Sequence, residues 1–195
     1  MGYVTWWAVV SSGAAPVLLV GGSTTAAVLE GPSYNPVRQT ISVLAAGGPT
    51  VYWVFTAMVV ALGVCHLATA TGLRAARLAG RLALGAGGLC AIILAFVPAP
   101  KSGGSFSHGS VVTVGFTLLA LWPVLAADRR PLVPWGLRLK PSIAATSLMA
   151  LCAAWFLVED QMRGVAGVAE RTVTILQALW PVVVVISCLR YARRA

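Results

Sequence analysis

Long apolar stretches separated by short polar segments dominate the chain. Six of them approach the roughly 20 residues that a helix needs to cross about 30 Å of hydrocarbon. No acidic or basic side chain apart from His66 lies within their predicted limits, which are 6–29, 50–72, 82–98, 110–127, 142–158 and 172–189. Because backbone groups in lipid must bond internally, segments of this length are expected to be helices. The pattern therefore predicts an all-α, polytopic membrane protein, a six-helix transmembrane bundle forming a single domain over residues 1–195.

Composition and charge placement support the membrane assignment. Hydrophobic residues make up 58% of the chain and charged residues 10%, whereas a soluble domain has about 25% charged residues. With the amino terminus inside, ten of the fourteen basic residues fall on the inner side. This bias predicts a plasma-membrane protein with both termini in the cytoplasm. The same bias explains the net charge of +9. Nucleic-acid binding is not predicted, because no element combines a basic face with stacking aromatics. Membrane lipids are the expected partners of the excess positive charge.

The cysteines and His66 give little support for a cofactor. Cys65, Cys90, Cys152 and Cys188 all lie within predicted spans and form no CxxC pair, so we expect small apolar packing residues. An ionisable side chain inside a span is a functional hypothesis by default. His66 is nevertheless expected to be structural, donating to a neighbouring carbonyl, and it lacks the axial partner that a haem would need. No metal and no cofactor are predicted.

A polar run, SYNPVRQTIS, follows the first span at residues 33–42. In the predicted topology it belongs to residues 30–49, the longest outer loop, which we call the lid. Val37, Ile41 and Leu44 are spaced four and three residues apart, as on one side of a helical turn. We therefore expect the lid to fold back over the outer helix ends, with these three side chains turned toward the bundle.

Six residues on the predicted outer face form a candidate ligand-binding site. They lie in the lid or at helix ends and could converge beneath the lid: Glu30, Tyr34, Arg38, His108, Glu159 and Asp160. A carboxylate near a histidine in a partly dry mouth could accept a proton or bind a cationic headgroup. Arg38 is expected to pair with one of the three carboxylates and hold the lid down. The alternative is that these are water-facing helix ends that keep the spans in place.

Two motifs carry a resemblance to a known family. YNPVRQTISVLAAG resembles the first-loop signature of the bacterial membrane family catalogued as domain of unknown function 998, and FVPAPKSGGSFSHGSVV resembles a second motif of that family. The chain departs from the family pattern where no acid follows Pro98, where Val43 replaces a common acid, and where Val111 and Val112 occupy the place of a second histidine. The resemblance implies a six-span bacterial membrane protein and implies no reaction.

One short sequence occurs twice. ALWPV is found at residues 120–124 and again at 178–182, in two spans that run in the same direction. Each proline removes a backbone donor, so bends are predicted at Pro123 and Pro181. Paired bends could open a cavity between helices; the alternative is a coincidence in a background rich in Leu and Ala.

Two classes of function fit these patterns. The first is a non-catalytic bundle that binds a membrane lipid, a small apolar ligand or a membrane-protein partner in a lidded extracytoplasmic cleft. The second is an integral-membrane enzyme acting on a lipid or isoprenoid substrate at the outer mouth, with His108 and either Glu30 or the Glu159–Asp160 pair. No nucleophile motif, metal cluster or phosphate loop supports the second class. The first is therefore predicted, and no catalytic residue is assigned.

Overall fold

All six predicted helices are present in the computed structural model, which describes residues 2–100, 104–130 and 132–194. The structure is 79% helical, and no strand occurs in the described ranges. The helices are α1 (Trp6–Glu30), α2 (Pro49–Gly72), α3 (Leu78–Leu94), α4 (Phe106–Ala126), α5 (Leu139–Met162) and α6 (Ala166–Ala192). An all-α polytopic membrane bundle is thereby confirmed.

Five helices are long and apolar enough to cross a membrane, and α3 is a shorter apolar helix of 17 residues. It covers 78–94 instead of the predicted 82–98. The start is earlier because Arg81 reaches back to the end of α2, where its Nε donates to the Ala70 carbonyl at 2.7 Å. A charged residue thus lies within the first turn of the helix without entering the apolar interior.

The helices form a closed ring. Each helix packs against the next one along the chain, and α6 returns to pack against α1. The approach of α2 and α3 depends on Gly63 and Gly88. A Cβ on either glycine would lie under 3.0 Å from the other's carbonyl oxygen, so any larger residue would push these helices apart.

Two hydrophobic clusters fill the two ends of the ring. One joins the lid to α1 and α2, and includes Leu44 and Phe55. The other lies at the opposite end, around Trp122, Leu137 and Val184. The space between these clusters is where the candidate site is found.

The first and last described residues lie near each other at the end opposite the lid. The Ala75 N–H donates to the Tyr3 carbonyl at 3.0 Å, and the rings of Tyr3 and Tyr191 meet edge-on at 5.4 Å. The loop residues 73–77, 127–130 and 132–138 lie at this same end, where the Arg77 N–H donates to the Ala126 carbonyl at 3.3 Å. We call this end the basic face, because ten of the fourteen Lys and Arg residues lie on it or at the adjoining helix ends.

Three prolines lie inside helices that continue through them: Pro16, Pro123 and Pro181. Pro123 and Pro181 are buried, in α4 and α6 respectively. The bends at these two positions stay predictions.

Candidate functional site

The lid owes its shape to its own polar residues. Gly31, with a φ of 72°, lies in the left-handed backbone region that glycine tolerates, and it ends α1. The Oδ1 of Asn35 then accepts from the backbone N–H groups of Val37 at 3.0 Å and Arg38 at 3.3 Å, a turn typical of asparagine. A 3₁₀ turn at Ile41–Ala46 leads into α2. The polar run therefore builds a compact turn.

Two of the three apolar lid residues face the bundle as predicted. Ile41 is 5% exposed and Leu44 is 1% exposed, and burial of side chains of this kind stabilises by about 1.5–3 kcal/mol each. The prediction for Val37 is wrong, since its side chain is 47% exposed. The carbonyl of Val37 accepts from the N–H of Val168 in α6 at 3.2 Å, and this backbone contact leaves the side chain outside.

Arg171 of α6 holds the lid. Its Nη1 donates to the lid carbonyls of Pro36 at 2.9 Å and Gln39 at 3.3 Å, and to the Gly167 carbonyl of its own helix at 2.9 Å. Its Nη2 donates to the hydroxyl of Tyr34 at 2.6 Å. The guanidinium carbon also lies 5.7 Å from the centre of the Tyr34 ring, a cation–π distance.

Tyr34 connects Arg171 to the next turn of the lid. It is buried, and its hydroxyl proton is directed at the carbonyls of Thr40 and Gln39, at 3.0 and 3.2 Å. Burial raises the pKa of Tyr34 above its usual value of 10.0, although the hydrogen bond and charge of Arg171 act in the opposite direction. The phenol therefore stays protonated and can donate at neutral pH.

Gly167 allows the lid to approach α6 this closely. A Cβ at this position would collide with the carbonyl oxygens of Pro36 and Gln39. These are the same two carbonyls that Arg171 binds.

Glu170, the residue before Arg171, binds the second half of the lid. Its side chain is 4% exposed. One carboxylate oxygen accepts the backbone N–H of Ile41, and the other accepts the hydroxyl of Ser42 at 3.1 Å. We call Glu170 and Arg171 the α6 clamp, because together they bind lid donors and lid acceptors from one helical turn.

The predicted contact between Arg38 and a carboxylate is wrong. In residues 2–100, 104–130 and 132–194 the one ion pair within 4.0 Å joins Arg130 to Asp128, on the basic face. The N–H of Arg38 is bound into the Asn35 turn, and its side chain is exposed. Arg171 makes the contacts that were expected of Arg38.

A cavity of about 80 Å³ lies in the centre of the ring, beneath the lid. Apolar side chains of α2, α3 and α4 make up most of its wall, among them Phe55, Met58 and Val111. The polar side chains on the wall are Ser42, His66, Glu170, Thr174 and Gln177. We call this space the lidded cavity; the α6 clamp forms part of its upper wall.

His66 lies on the wall of the lidded cavity without a protein partner. It is 2% exposed, and the described residues give it no hydrogen bond, so the expected contact with a carbonyl is not made. Gln177, by contrast, donates to the Phe116 carbonyl at 3.1 Å. His66 is therefore the group on this wall that has most to gain from a bound molecule.

The six residues predicted as a site do not form one cluster. Glu30 and Tyr34 share a small pocket of about 150 Å³ at the lid edge. His108 uses its Nδ1 to donate to the Val97 carbonyl at 2.8 Å. Glu159 accepts from Trp155 Nε1 of the same helix at 3.1 Å and from the Val165 N–H, just after that helix, at 2.8 Å. Arg38 and Asp160 are exposed. No hydrogen bond joins His108 to the carboxylates within the part of the chain that is described.

The described residues also contain no group of three or more His, Cys, Asp and Glu side chains that could hold a metal ion. The four cysteines are free thiols.

Comparison with known sequences identifies the family. The profile of the family described as "Protein of unknown function (DUF998)" matches residues 12–187. The chain belongs to this family. The family resemblance of the lid motif is thus confirmed, and the matched region contains the lid, the α6 clamp and the wall of the lidded cavity. Comparison with curated proteins and with solved structures gives no match.

The residues that sequence reasoning missed lie on one face of α6. The predicted sixth span began at 172, whereas α6 begins at Ala166 and includes the clamp. A signal was available, because Glu170, Thr174 and Gln177 are spaced four and three residues apart, which puts three polar side chains on one helical face. That polar stripe is the part of α6 that lines the lidded cavity.

Proposed function

We propose that this DUF998 protein is a plasma-membrane protein that binds a small, mainly apolar ligand in the lidded cavity. The observation that carries the proposal is the wall itself, apolar for most of its area with an unpartnered His66. Ligand sites in proteins are mostly apolar cavities with a few placed polar groups. A ligand with an apolar body and one hydrogen-bonding group fits this wall.

The volume of the lidded cavity limits the size of the ligand that it can hold while the lid is in place. About 80 Å³ accommodates only a few water-sized groups, given that one water needs about 10–15 Å³ of such volume. Drug-sized ligands occupy about 300–1,000 Å³. The closed cavity therefore holds a short apolar group or the end of a chain, and a larger ligand requires the lid to move.

Binding is favoured over catalysis by the positions of the polar groups. The enzyme hypothesis paired His108 with Glu30 or with Glu159 and Asp160, and the described residues contain no hydrogen bond within any of these pairs. Glu170 is occupied by two lid donors. Glu170 thus serves to position the lid, and the described polar groups around the cavity form no hydrogen-bonded nucleophile–base pair.

The orientation follows from the charges. The basic face carries the first and last described residues and most of the lysine and arginine residues, so the positive-inside rule assigns it to the cytoplasm. The lid then faces the extracytoplasmic side, where a ligand would enter.

Native mass spectrometry of the protein from mild detergent tests the proposal. The wild type is expected to carry one co-purifying lipid or metabolite. Val111→Phe fills the cavity from α4 and should reduce retention about tenfold, since overpacking costs about 1–3 kcal/mol. Val114→Phe makes the same change on the same helix at a side chain that is 52% exposed, and it should retain the ligand. A wild type without any bound molecule, or equal retention by the two variants, would overturn the proposal.

A further inference from the structure

A second site lies on the basic face, in a groove of about 470 Å³ between α6 and the loop that precedes α5. Its lining divides into an apolar and a basic part. Val183 and Ile186 form the apolar part, and Arg138, Arg190 and Arg194 form the basic part.

The two parts are ordered along α6. Val183, Ile186 and Arg190 follow one another at intervals of three and four residues, so they lie on one side of α6, and Arg194 follows in the turn after the helix ends at Ala192. At a rise of about 1.5 Å per residue the helical part of this stripe, from Val183 to Arg190, is about 10 Å long. It changes from apolar to basic at the end of the span, where hydrocarbon gives way to headgroups.

The positive charge of the groove is not neutralised by the described residues. No acidic side chain is among the lining residues, and Asp128, the carboxylate of the neighbouring loop, is bound to Arg130 at 2.6 Å. Arg138 uses its Nε on the Val133 carbonyl at 3.3 Å. Arg190 has no side-chain partner in the described ranges. Guanidinium groups arranged in this way suit the oxygens of a phosphate group, which they bind through paired N–H donors.

Two aromatic residues complete the lining. Trp135 is 53% exposed, and Tyr191 donates its hydroxyl to the Leu132 carbonyl at 3.2 Å. Aromatic side chains of these types favour the level of the headgroups in a bilayer. Their position indicates that the groove lies at the level of the lipid headgroups.

We propose that this groove binds an anionic phospholipid. The phosphate group lies among Arg138, Arg190 and Arg194, and an acyl chain lies along Val183 and Ile186. A soluble anion would use only the basic half, so the apolar half selects a lipid. The site is separate from the lidded cavity and stands whether or not that cavity holds a ligand.

The test uses the full-length protein in detergent, titrated with phosphatidylglycerol and separately with phosphatidylcholine, with bound lipid counted by native mass spectrometry. The wild type should prefer phosphatidylglycerol. The triple variant Arg138→Gln, Arg190→Gln, Arg194→Gln should bind it about 100-fold more weakly, given about fivefold for each guanidinium hydrogen bond to the phosphate that is lost. Its weak binding of phosphatidylcholine should not change.

A charge-matched variant separates a site from general attraction. Arg74→Gln, Arg77→Gln, Arg193→Gln removes the same charge from exposed positions of the basic face outside the groove, and it should bind phosphatidylglycerol like the wild type. Equal weakening in both triple variants would overturn the proposal. So would displacement of the lipid by glycerol phosphate, which would show that the groove recognises a soluble anion. If the groove triple variant fails to fold, Arg190→Gln alone should still show the fivefold loss.

Discussion

Replacing Arg171 by glutamine should open the lid. The guanidinium donates three hydrogen bonds to lid acceptors, the carbonyls of Pro36 and Gln39 and the hydroxyl of Tyr34, at 2.6–3.3 Å. Hydrogen bonds to charged groups contribute about 1.5–3 kcal/mol each. Two of these bonds share one nitrogen and the side chain is half-buried, so about 1 kcal/mol each is the appropriate value. The variant should lose about 3 kcal/mol of lid closure, or about 100-fold in the opening equilibrium.

Hydrogen–deuterium exchange measures this opening directly. The amides of Gln39, Val43 and Gly47 bond within the lid, to Asn35, Thr40 and Leu44 respectively. Their exchange should accelerate about 100-fold in the variant if it occurs through lid opening, while amides in the middle of α2 should not change.

Arg38→Gln is the matched control, because it removes the same charge from the lid itself. Arg38 is exposed, and its side chain makes no hydrogen bond or ion pair in the described residues, so exchange in the lid should stay at the wild-type rate. If Arg171→Gln exchanges within twofold of the wild type, or if Arg38→Gln opens the lid as much, the assignment of the clamp is refuted.

Two further predictions concern the ring and the lid. Gly63→Ala should lower the melting temperature, because the new Cβ would collide with α3. Gly21→Ala is the control: nothing lies within 4 Å of a Cβ at this position, so the melting temperature should rise or stay unchanged. Equal shifts of the melting temperature in the two variants would contradict the close approach of α2 and α3. Since burial raises the pKa of Tyr34, its contribution to lid closure should be constant below pH 10 and lost as the pH rises through the raised pKa. An ultraviolet titration of the wild type and of Tyr34→Phe measures this ionisation, because the difference in tyrosinate absorbance between the two proteins comes from Tyr34. This difference should appear only above pH 10.0. Ionisation of Tyr34 at or below pH 10.0 would refute the burial of its hydroxyl.

The helices were predictable because hydrophobicity at membrane thickness is a strong and local signal. The lid was also predictable in part, because Ile41 and Leu44 lie at helical spacing in an otherwise polar run and are buried. Both predictions depend on the partition of single side chains between water and apolar surroundings. The burial of an apolar side chain can therefore be predicted without knowing which helix packs against it.

The clamp was not predictable in the same way. In sequence, Arg38 and Arg171 are both basic residues of the outer side, and only the packing of α6 beside the lid decides which one reaches the lid carbonyls. Glu170 falls just before the predicted sixth span, which begins at 172, because a charged residue normally ends an apolar span. Glu170 is instead buried in α6, because the Ile41 N–H and the Ser42 hydroxyl donate the hydrogen bonds to its carboxylate that water would otherwise donate. The polar spacing of Glu170, Thr174 and Gln177 marks a polar face of α6, but it does not show which groups more than a hundred residues away that face contacts.

The reactivity of Cys90 tests the central claim, that the lid closes a cavity in the ring, most directly. Cys90 lines the lidded cavity, and a background with Cys65→Ala, Cys152→Ala and Cys188→Ala leaves it as the one thiol. Cys90 is half-buried, and a charged, water-soluble thiol reagent does not partition into lipid, so we expect it to reach this thiol from the lid side. The account predicts slow modification in the wild-type lid, modification about 100-fold faster with Arg171→Gln, and no change with Arg38→Gln. Equal rates in all three proteins, as fast as in detergent-unfolded protein, would contradict it.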